Sequence, residues 1–209
     1  MNTLKINKKL TVLVPFKNFT YLAAEVKTGD ILICAGTSSL GKAISSCTDS
    51  EVTHVGLLYV WDGVIYVIEA VDTLREVPLS FYKQYDGRLF IGRISGNKHF
   101  PTYSERHSGV KGLITIAKSD LGKGYDYDDL VKIALNRSWF GKIFKFRKDD
   151  DTRMYCSDAI CHVLREYYSQ PTCDALKPEA LKPLLVPSRY SLPSEIAAIC
   201  DIYAETACY

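Results

Sequence analysis

The segment THVGLLYVWDGVIYVIEA, residues 53–70, decides the fold. It contains two runs of apolar, β-branched and aromatic residues, which are joined by Asp62-Gly63. Asp-Gly is a preferred two-residue turn between antiparallel strands, because both turn positions require a positive φ. The segment therefore predicts a β-hairpin in which Trp61 pairs with Val64.

The register of this hairpin brings a histidine and a carboxylate together. With Trp61 opposite Val64, Gly56 faces Glu69, and because side chains alternate between the two faces, His54 shares a face with Glu69. The two residues are then diagonal neighbours, roughly 7–8 Å apart at the backbone and within side-chain reach. A three-residue loop would shift the register and move Glu69 to the other face. The Asp-Gly turn favours the paired arrangement; the alternative is that both residues lie at strand ends in contact with water.

Apolar periodicity predicts further elements on both sides of the hairpin. Strands are expected at 31–36 and 88–95, and helices at 108–119, 128–136, 155–169 and 193–204, with a loop and a short helix at 37–48. This order indicates an α+β fold, with a small antiparallel sheet or partial barrel packed against helices. Since no linker or repeat divides the chain, residues 1–209 are expected to form a single domain, with its core at about 25–200 and a peripheral segment at 1–24.

The composition indicates one globular core without a strong charge bias. The 209 residues are 47% hydrophobic and carry a formal net charge of +2, so no nucleic-acid partner is expected. The run Lys142–Lys148 alternates cations with aromatic residues; it predicts a solvated loop, and the alternative is transient contact with phosphate or a membrane surface. The absence of a signal-peptide pattern and of a long apolar run predicts a soluble, cytoplasmic protein.

The cysteines do not form a metal-binding or disulfide pattern. All seven lack C-x-x-C spacing and lie at positions 34, 47, 156, 161, 173, 200 and 208. This scatter indicates reduced thiols. Cys156, Cys161 and His162 do not match a zinc spacing, and in a helix the two cysteines point to different faces. No metal site is therefore expected.

Cys156 differs from the other cysteines because it begins a helical stripe. The apolar positions of the run 155–169 lie on one face, at 156, 160, 163, 164 and 167. A thiol in the first helical turn lies among unpaired backbone N–H groups, which favour the thiolate and can stabilise an oxyanion. Residues 149–152 offer capping side chains just upstream.

The neighbouring Cys161 and His162 have no comparable setting. Cys161 lies in mid-helix and is expected to be an inert, partly buried thiol, and His162 is expected at the surface. A thiol, an imidazole and a carboxylate at Cys156, His54 and Glu69 are the residue types of cysteine hydrolases and acyltransferases.

Six short motifs follow one another along the chain: TGDILI (28–33), THVGLLY (53–59), IEA (68–70), GKGYDYDDL (122–130), YCSDAICHVL (155–164) and VPSRYSLPSEIAA (186–198). In this order they resemble the circularly permuted branch of the NlpC-type, papain-like superfamily of cysteine hydrolases and acyltransferases, in particular its YiiX-like group. The resemblance implies a permuted papain-like fold, in which the strands that carry the histidine precede the helix that carries the cysteine.

The resemblance also implies a role for each matching residue. Cys156 would be the nucleophile, His54 the general base and acid, and Glu69 the residue that orients the imidazole. Tyr125 and Tyr155 are weaker candidates for lining the oxyanion and substrate site.

The activity that this resemblance implies is cleavage of an amide or ester bond through an acyl-enzyme, without a cofactor. An amidase, a peptidase and a thioesterase fit this description, and peptides and lipids are the candidate substrates. The YiiX-like group usually has Glu two residues after the cysteine, where this chain has Asp158; the change keeps a negative charge in the first helical turn. The alternatives are a lipid or peptide acyltransferase and a non-catalytic binding protein on the same scaffold.

Overall fold

The described part of the chain is built on a seven-stranded sheet. The computed structural model describes residues 14–15, 24–95, 112–124, 154–174, 177–186 and 191–207. In chain order the strands are β1 (Val14–Pro15), β2 (Ile31–Gly36), β3 (His54–Trp61), β4 (Val64–Ala70), β5 (Leu74–Pro78), β6 (Gly87–Ile94) and β7 (Cys200–Ala207). Across the sheet they follow the order β1-β7-β6-β2-β3-β4-β5. The short β1 is parallel to β7, and the other neighbours are antiparallel.

Helices follow and flank the strands. They are α1 (Ser39–Thr48), α2 (Leu113–Ser119), α3 (Cys156–Ser169), α4 (Pro171–Asp174) and α5 (Pro193–Ala198), with 3-10 turns at Leu79–Gln84 and Glu179–Leu181. The predicted α+β class is confirmed. The permuted papain-like arrangement and the single domain over 1–209 stay predictions. No described helix is long and apolar enough to cross a membrane.

The hairpin has the predicted register. Trp61 pairs with Val64, and both turn residues have a positive φ, 49° at Asp62 and 71° at Gly63. At the other end of the hairpin, a Cβ added to Gly56 would lie 3.6 Å from the Glu69 Cβ. The two-residue turn therefore sets which β4 side chains share a face with those of β3, as the sequence predicts.

Both faces of the sheet are buried, and the two faces have different partners. On one face, Val55, Leu57 and Ile68 belong to the core that includes α3, which packs on β3 and β4. On the other face, Leu58 and Val67 pack with a second buried cluster that includes Tyr82 from the 3-10 turn. By alternation the Cα–Cβ bonds of His54 and Glu69 point to this second face, and His54, as the first residue of β3, lies at the end of the strand.

The last helix is shorter than predicted. The predicted start at Pro193 is confirmed, and the Glu195 carboxylate caps the helix by accepting a hydrogen bond from the Leu192 N–H at 2.9 Å. The predicted extent of 193–204 is wrong, because α5 ends at Ala198 and Cys200–Ala207 forms β7. This strand pairs with β6, so a non-local ladder outweighs the local helical pattern.

Other predicted elements agree with the structure where it describes them. The strands at 31–36 and 88–95 and the helices at 37–48 and 155–169 are confirmed to within one or two residues. Helix α2 begins at Leu113, within the predicted 108–119. Residues 108–111 and the predicted helix at 128–136 lie outside the described residues, as does the basic run at 142–148.

Candidate active site

The His54 imidazole contacts the Glu69 carboxylate. His54 Nε2 lies 2.6 Å from Glu69 Oε2. His54 is the first residue of β3, and its side chain is 18% exposed, whereas the Glu69 side chain is fully buried. The contact follows from the hairpin register, because that register makes the two residues diagonal neighbours on one face. A carboxylate oxygen can only accept, so Nε2 carries the proton of this hydrogen bond.

Two further side chains donate hydrogen bonds to Glu69. The Arg75 guanidinium binds Oε1 through both Nε, at 3.0 Å, and Nη2, at 2.8 Å. The Tyr82 hydroxyl donates to Oε2, the oxygen that also accepts from His54. A carboxylate has about four acceptor positions, and these four donor atoms fill them. Glu69 is therefore held in one orientation.

Arg75 and Tyr82 were missed by the sequence analysis. Arg75 lies directly opposite Glu69 in the β4–β5 ladder, and Tyr82 lies in the 3-10 turn that follows β5. The sequence signal for this contact is a basic residue six positions after a carboxylate in a strand, because a hairpin between them would place the two residues opposite each other. Its turn, at residues 71–73, lacks a strong turn pair such as Asp-Gly.

The Glu69 carboxyl is ionised at neutral pH in spite of its burial. Burial alone would raise the pKa of Glu69. The hydrogen bond to His54 and its charge, followed by the hydrogen bonds from Tyr82 and Arg75, outweigh burial and lower the pKa to about 2. Glu69 therefore accepts hydrogen bonds as a fixed anion and does not take up a proton near neutral pH.

The His54 imidazole is electrostatically linked to Cys156. Burial lowers the pKa of His54. The charge of Cys156 and a hydrogen bond with its sulfur, together with the hydrogen bond and charge of Glu69, outweigh this effect and raise the pKa of His54 to about 10. Because Nε2 is engaged by Glu69, Nδ1 is the nitrogen that remains for Cys156. His54 therefore interacts electrostatically with both Cys156 and Glu69.

Cys156 is the first residue of α3 and is 3% exposed. The position before it, Tyr155, is the N-cap and makes no side-chain capping hydrogen bond. The positive end of the helix therefore lies at the thiol, which favours a negative charge there. The predicted capping residues 149–152 lie outside the described residues.

Tyr155 and Tyr125 are the two weaker candidates for lining the oxyanion and substrate site. Tyr155 is 1% exposed, and its hydroxyl accepts a hydrogen bond from the backbone N–H of Ser191 at 3.0 Å. This contact anchors the segment that leads into α5, and a role for Tyr155 beside the oxyanion site stays a prediction. Tyr125 lies outside the described residues.

Cys161 and His162 are separated from this site in their interactions. Cys161 is 1% exposed, and burial, aided by the charge of Asp158, raises its pKa to about 11; this agrees with the predicted inert thiol. His162 is partly buried rather than fully at the surface, and its Nε2 lies 3.1 Å from Asp120 Oδ2. The partner of the neighbouring histidine is therefore a carboxylate of the α2 end and not Cys156.

A cavity of about 570 Å³ adjoins the site. Its lining includes His54 and Glu69 together with the rings of Phe81, Tyr82 and Tyr85. Of these three aromatic residues Phe81 is the exposed one, at 61%. The lining does not include Cys156, so within the described residues the cavity reaches the imidazole and the carboxylate but not the thiol.

Within the described ranges, no group of three or more His, Cys, Asp or Glu side chains is arranged to hold a metal ion. His54 and Glu69 make up only two such groups, and the Glu69 acceptor positions are occupied by Arg75 and Tyr82. Among these residues the pair is therefore engaged in a network of hydrogen bonds.

Comparisons with known proteins give one relative of similar sequence. No family model matches the chain. Over 160 residues, which are 76% of this chain and 67% of the relative, the sequence is 26% identical to the uncharacterized protein YiiX of Escherichia coli (strain K12). A crystal structure described as metalloprotein yiiX from Escherichia coli O157:H7 aligns with 85% of this chain and 88% of its own, at 22% identity and a TM-score of 0.46. The sequence similarity to YiiX supports the resemblance to the YiiX-like group that the motifs predict.

Proposed function

We propose that this protein is a cysteine-dependent hydrolase that cleaves an amide or ester bond through an acyl-enzyme on Cys156. The observation that carries the proposal is the position of His54, which contacts Glu69 at 2.6 Å and interacts electrostatically with Cys156. A histidine between a thiol at a helix start and a buried carboxylate is the arrangement that activates a nucleophile in cysteine hydrolases.

The proposed reaction begins with the Cys156 thiolate and the protonated His54. The sulfur attacks the carbonyl carbon, and the carbonyl π electrons move to the oxygen. When the tetrahedral intermediate collapses, the bond to the leaving amine or alcohol breaks and His54 Nδ1 gives its proton to that group. Water then attacks the thioester while His54 takes a proton from it. Collapse releases the carboxylic acid and restores the thiolate and the imidazolium.

Two local features assist these steps in the proposal. Glu69 holds the imidazole through Nε2, so that Nδ1 keeps its direction while it loses and regains a proton. The first-turn N–H groups of α3 supply hydrogen-bond donors for the developing oxyanion, since Tyr155 offers no side-chain cap at that end. Transfer of the acyl group to a nucleophile other than water would make the same site an acyltransferase.

An acylation experiment tests the proposal. The protein is mixed with p-nitrophenyl acetate, p-nitrophenolate release is followed, and the acetylated cysteine is located by peptide mass mapping. We expect a burst of p-nitrophenolate and acetyl groups on Cys156, since this thiol interacts electrostatically with the His54 base.

The matched control is Cys161→Ser, because Cys161 lies on the same helix but is buried without a base. We expect Cys161→Ser to keep the burst and Cys156→Ser to lose it. Acetylation spread over several cysteines, or a burst that persists in Cys156→Ser, would contradict an acyl-enzyme at Cys156. The remaining alternative would then be a non-catalytic binding protein.

A further inference from the structure

The protein contains two buried carboxylates with nearly identical partners, and one of them is Asp30. Asp30 is 1% exposed. Arg93 donates to it through Nε and Nη2, each at 2.8 Å, and the Tyr203 hydroxyl donates at 2.6 Å. The last donor is the backbone N–H of Lys27 at 2.8 Å. These donors come from the turn before β2, from β6 and from β7, so the network joins these three parts of the chain.

The Glu69 network repeats this arrangement with two differences. Arg93 donates to both oxygens of Asp30, whereas Arg75 donates only to Oε1 of Glu69, and the fourth donor is of another kind. Glu69 is also 1% exposed and also receives two hydrogen bonds from an arginine and one from a tyrosine, in this case Arg75 and Tyr82. The two arginine side chains have similar exposure, 36% at Arg75 and 32% at Arg93. The fourth donor to Glu69 is the His54 imidazole, where Asp30 has a backbone N–H.

The geometry points to a specific role: we propose that Arg75 and Tyr82 are positioning residues that fix Glu69 so that its Oε2 orients His54 toward Cys156. This inference rests on the proposed function for its catalytic consequence. Arg75 occupies Oε1 twice, so only Oε2 remains for the imidazole. The Tyr82 hydroxyl shares Oε2 and thereby selects the position that His54 uses.

The arginine itself is held on a second side. Its guanidinium carbon lies 5.2 Å from the centre of the Phe81 ring, which lines the cavity beside the site. Stacking of this kind restricts the plane of the guanidinium. A lysine at position 75 would keep the positive charge but lose the paired hydrogen bonds to Glu69. The Arg75→Lys substitution therefore distinguishes the effect of the charge from that of the paired hydrogen bonds.

The test compares Arg75→Gln, Arg75→Lys and Tyr82→Phe with Arg93→Gln. The Arg93 variant is the matched control, because it removes the same kind of contact from Asp30 without touching His54. Two properties are measured on protein that is verified to be folded. One is the exchange rate of the His54 Nε2–H proton with solvent, by NMR with 15N-labelled histidine; the other is the acetylation rate of Cys156 as a function of pH.

We expect faster exchange of the Nε2–H proton in all three variants of the Glu69 network and unchanged exchange in Arg93→Gln. Acetylation of Cys156 is expected to fall by about 10–100-fold in Arg75→Gln, the range typical of residues that orient another functional group, and Arg75→Lys is expected to restore little of it. Wild-type exchange in Arg75→Gln would overturn the inference, as would equal losses of acetylation in Arg75→Gln and Arg93→Gln. If the wild type is not acetylated at all, the proposed function fails, and the NMR comparison still decides the positioning role.

Discussion

Replacing His54 with alanine is expected to slow acylation of Cys156 by about 10²–10⁴-fold at neutral pH, the range that general acid–base catalysis contributes. The physical reason is that, in the proposed mechanism, the imidazole supplies both the positive charge beside the thiolate and the proton for the leaving group. His54 is placed for this because it contacts Glu69 through Nε2 and interacts with Cys156. The measurement is the acetylation rate from p-nitrophenolate release under single-turnover conditions.

The control for this prediction is His162→Ala. His162 lies in the same helix as Cys156, but its ring is next to Asp120. We expect its removal to leave the acylation rate within a few-fold of the wild type. If His162→Ala is acylated slowly while His54→Ala is acylated at the wild-type rate, His162 is the base instead of His54, and the proposed mechanism is contradicted.

Replacing Leu164 with alanine is expected to lower the free energy of unfolding by about 2–5 kcal/mol, the range for truncating a leucine in a packed core. Leu164 is fully buried and belongs to the cluster in which α3 packs against the sheet. The cavity left by three missing carbon atoms removes contacts from both the helix and the strands. The measurement is equilibrium urea denaturation followed by circular dichroism.

Glu166→Ala is the matched control for this stability prediction. Glu166 is two residues away on the same helix and is exposed, so its change is expected within about 0.5 kcal/mol of zero. Equal stability of Leu164→Ala and the wild type would mean that α3 does not pack on the sheet through this position, and the location of Cys156 would then be in doubt.

The part of the site that the sequence predicts is the part that depends on local chemistry. Asp62-Gly63 determines the turn by its backbone preference, and the turn determines that His54 and Glu69 share a face. The start of α3 at Cys156 follows from an apolar stripe within one helix. In both cases the information lies within about twenty residues of the feature that it determines.

What the sequence does not predict depends on non-local pairing. Arg75 and Tyr82 reach Glu69 only after β5 has paired with β4 and the 3-10 turn has folded back on the sheet. Strand β7 forms where a helix was predicted, because β6 offers it a ladder from a distant part of the chain. The interaction between Cys156 and His54 likewise requires packing of α3 on the hairpin, which no local pattern contains.

The most direct test of the account is an NMR titration of the His54 ring in the wild type and in Cys156→Ala. The ordinary pKa of histidine is 6.5, and the interactions of His54 with Cys156 and Glu69 raise it to about 10 in spite of burial. The imidazolium should therefore persist through neutral pH in the wild type and lose its proton only near pH 10. In Cys156→Ala the thiolate is absent while burial remains, so the midpoint should move to lower pH. The same midpoint in both proteins, or a neutral His54 at pH 7 in the wild type, would contradict a thiolate–imidazolium pair.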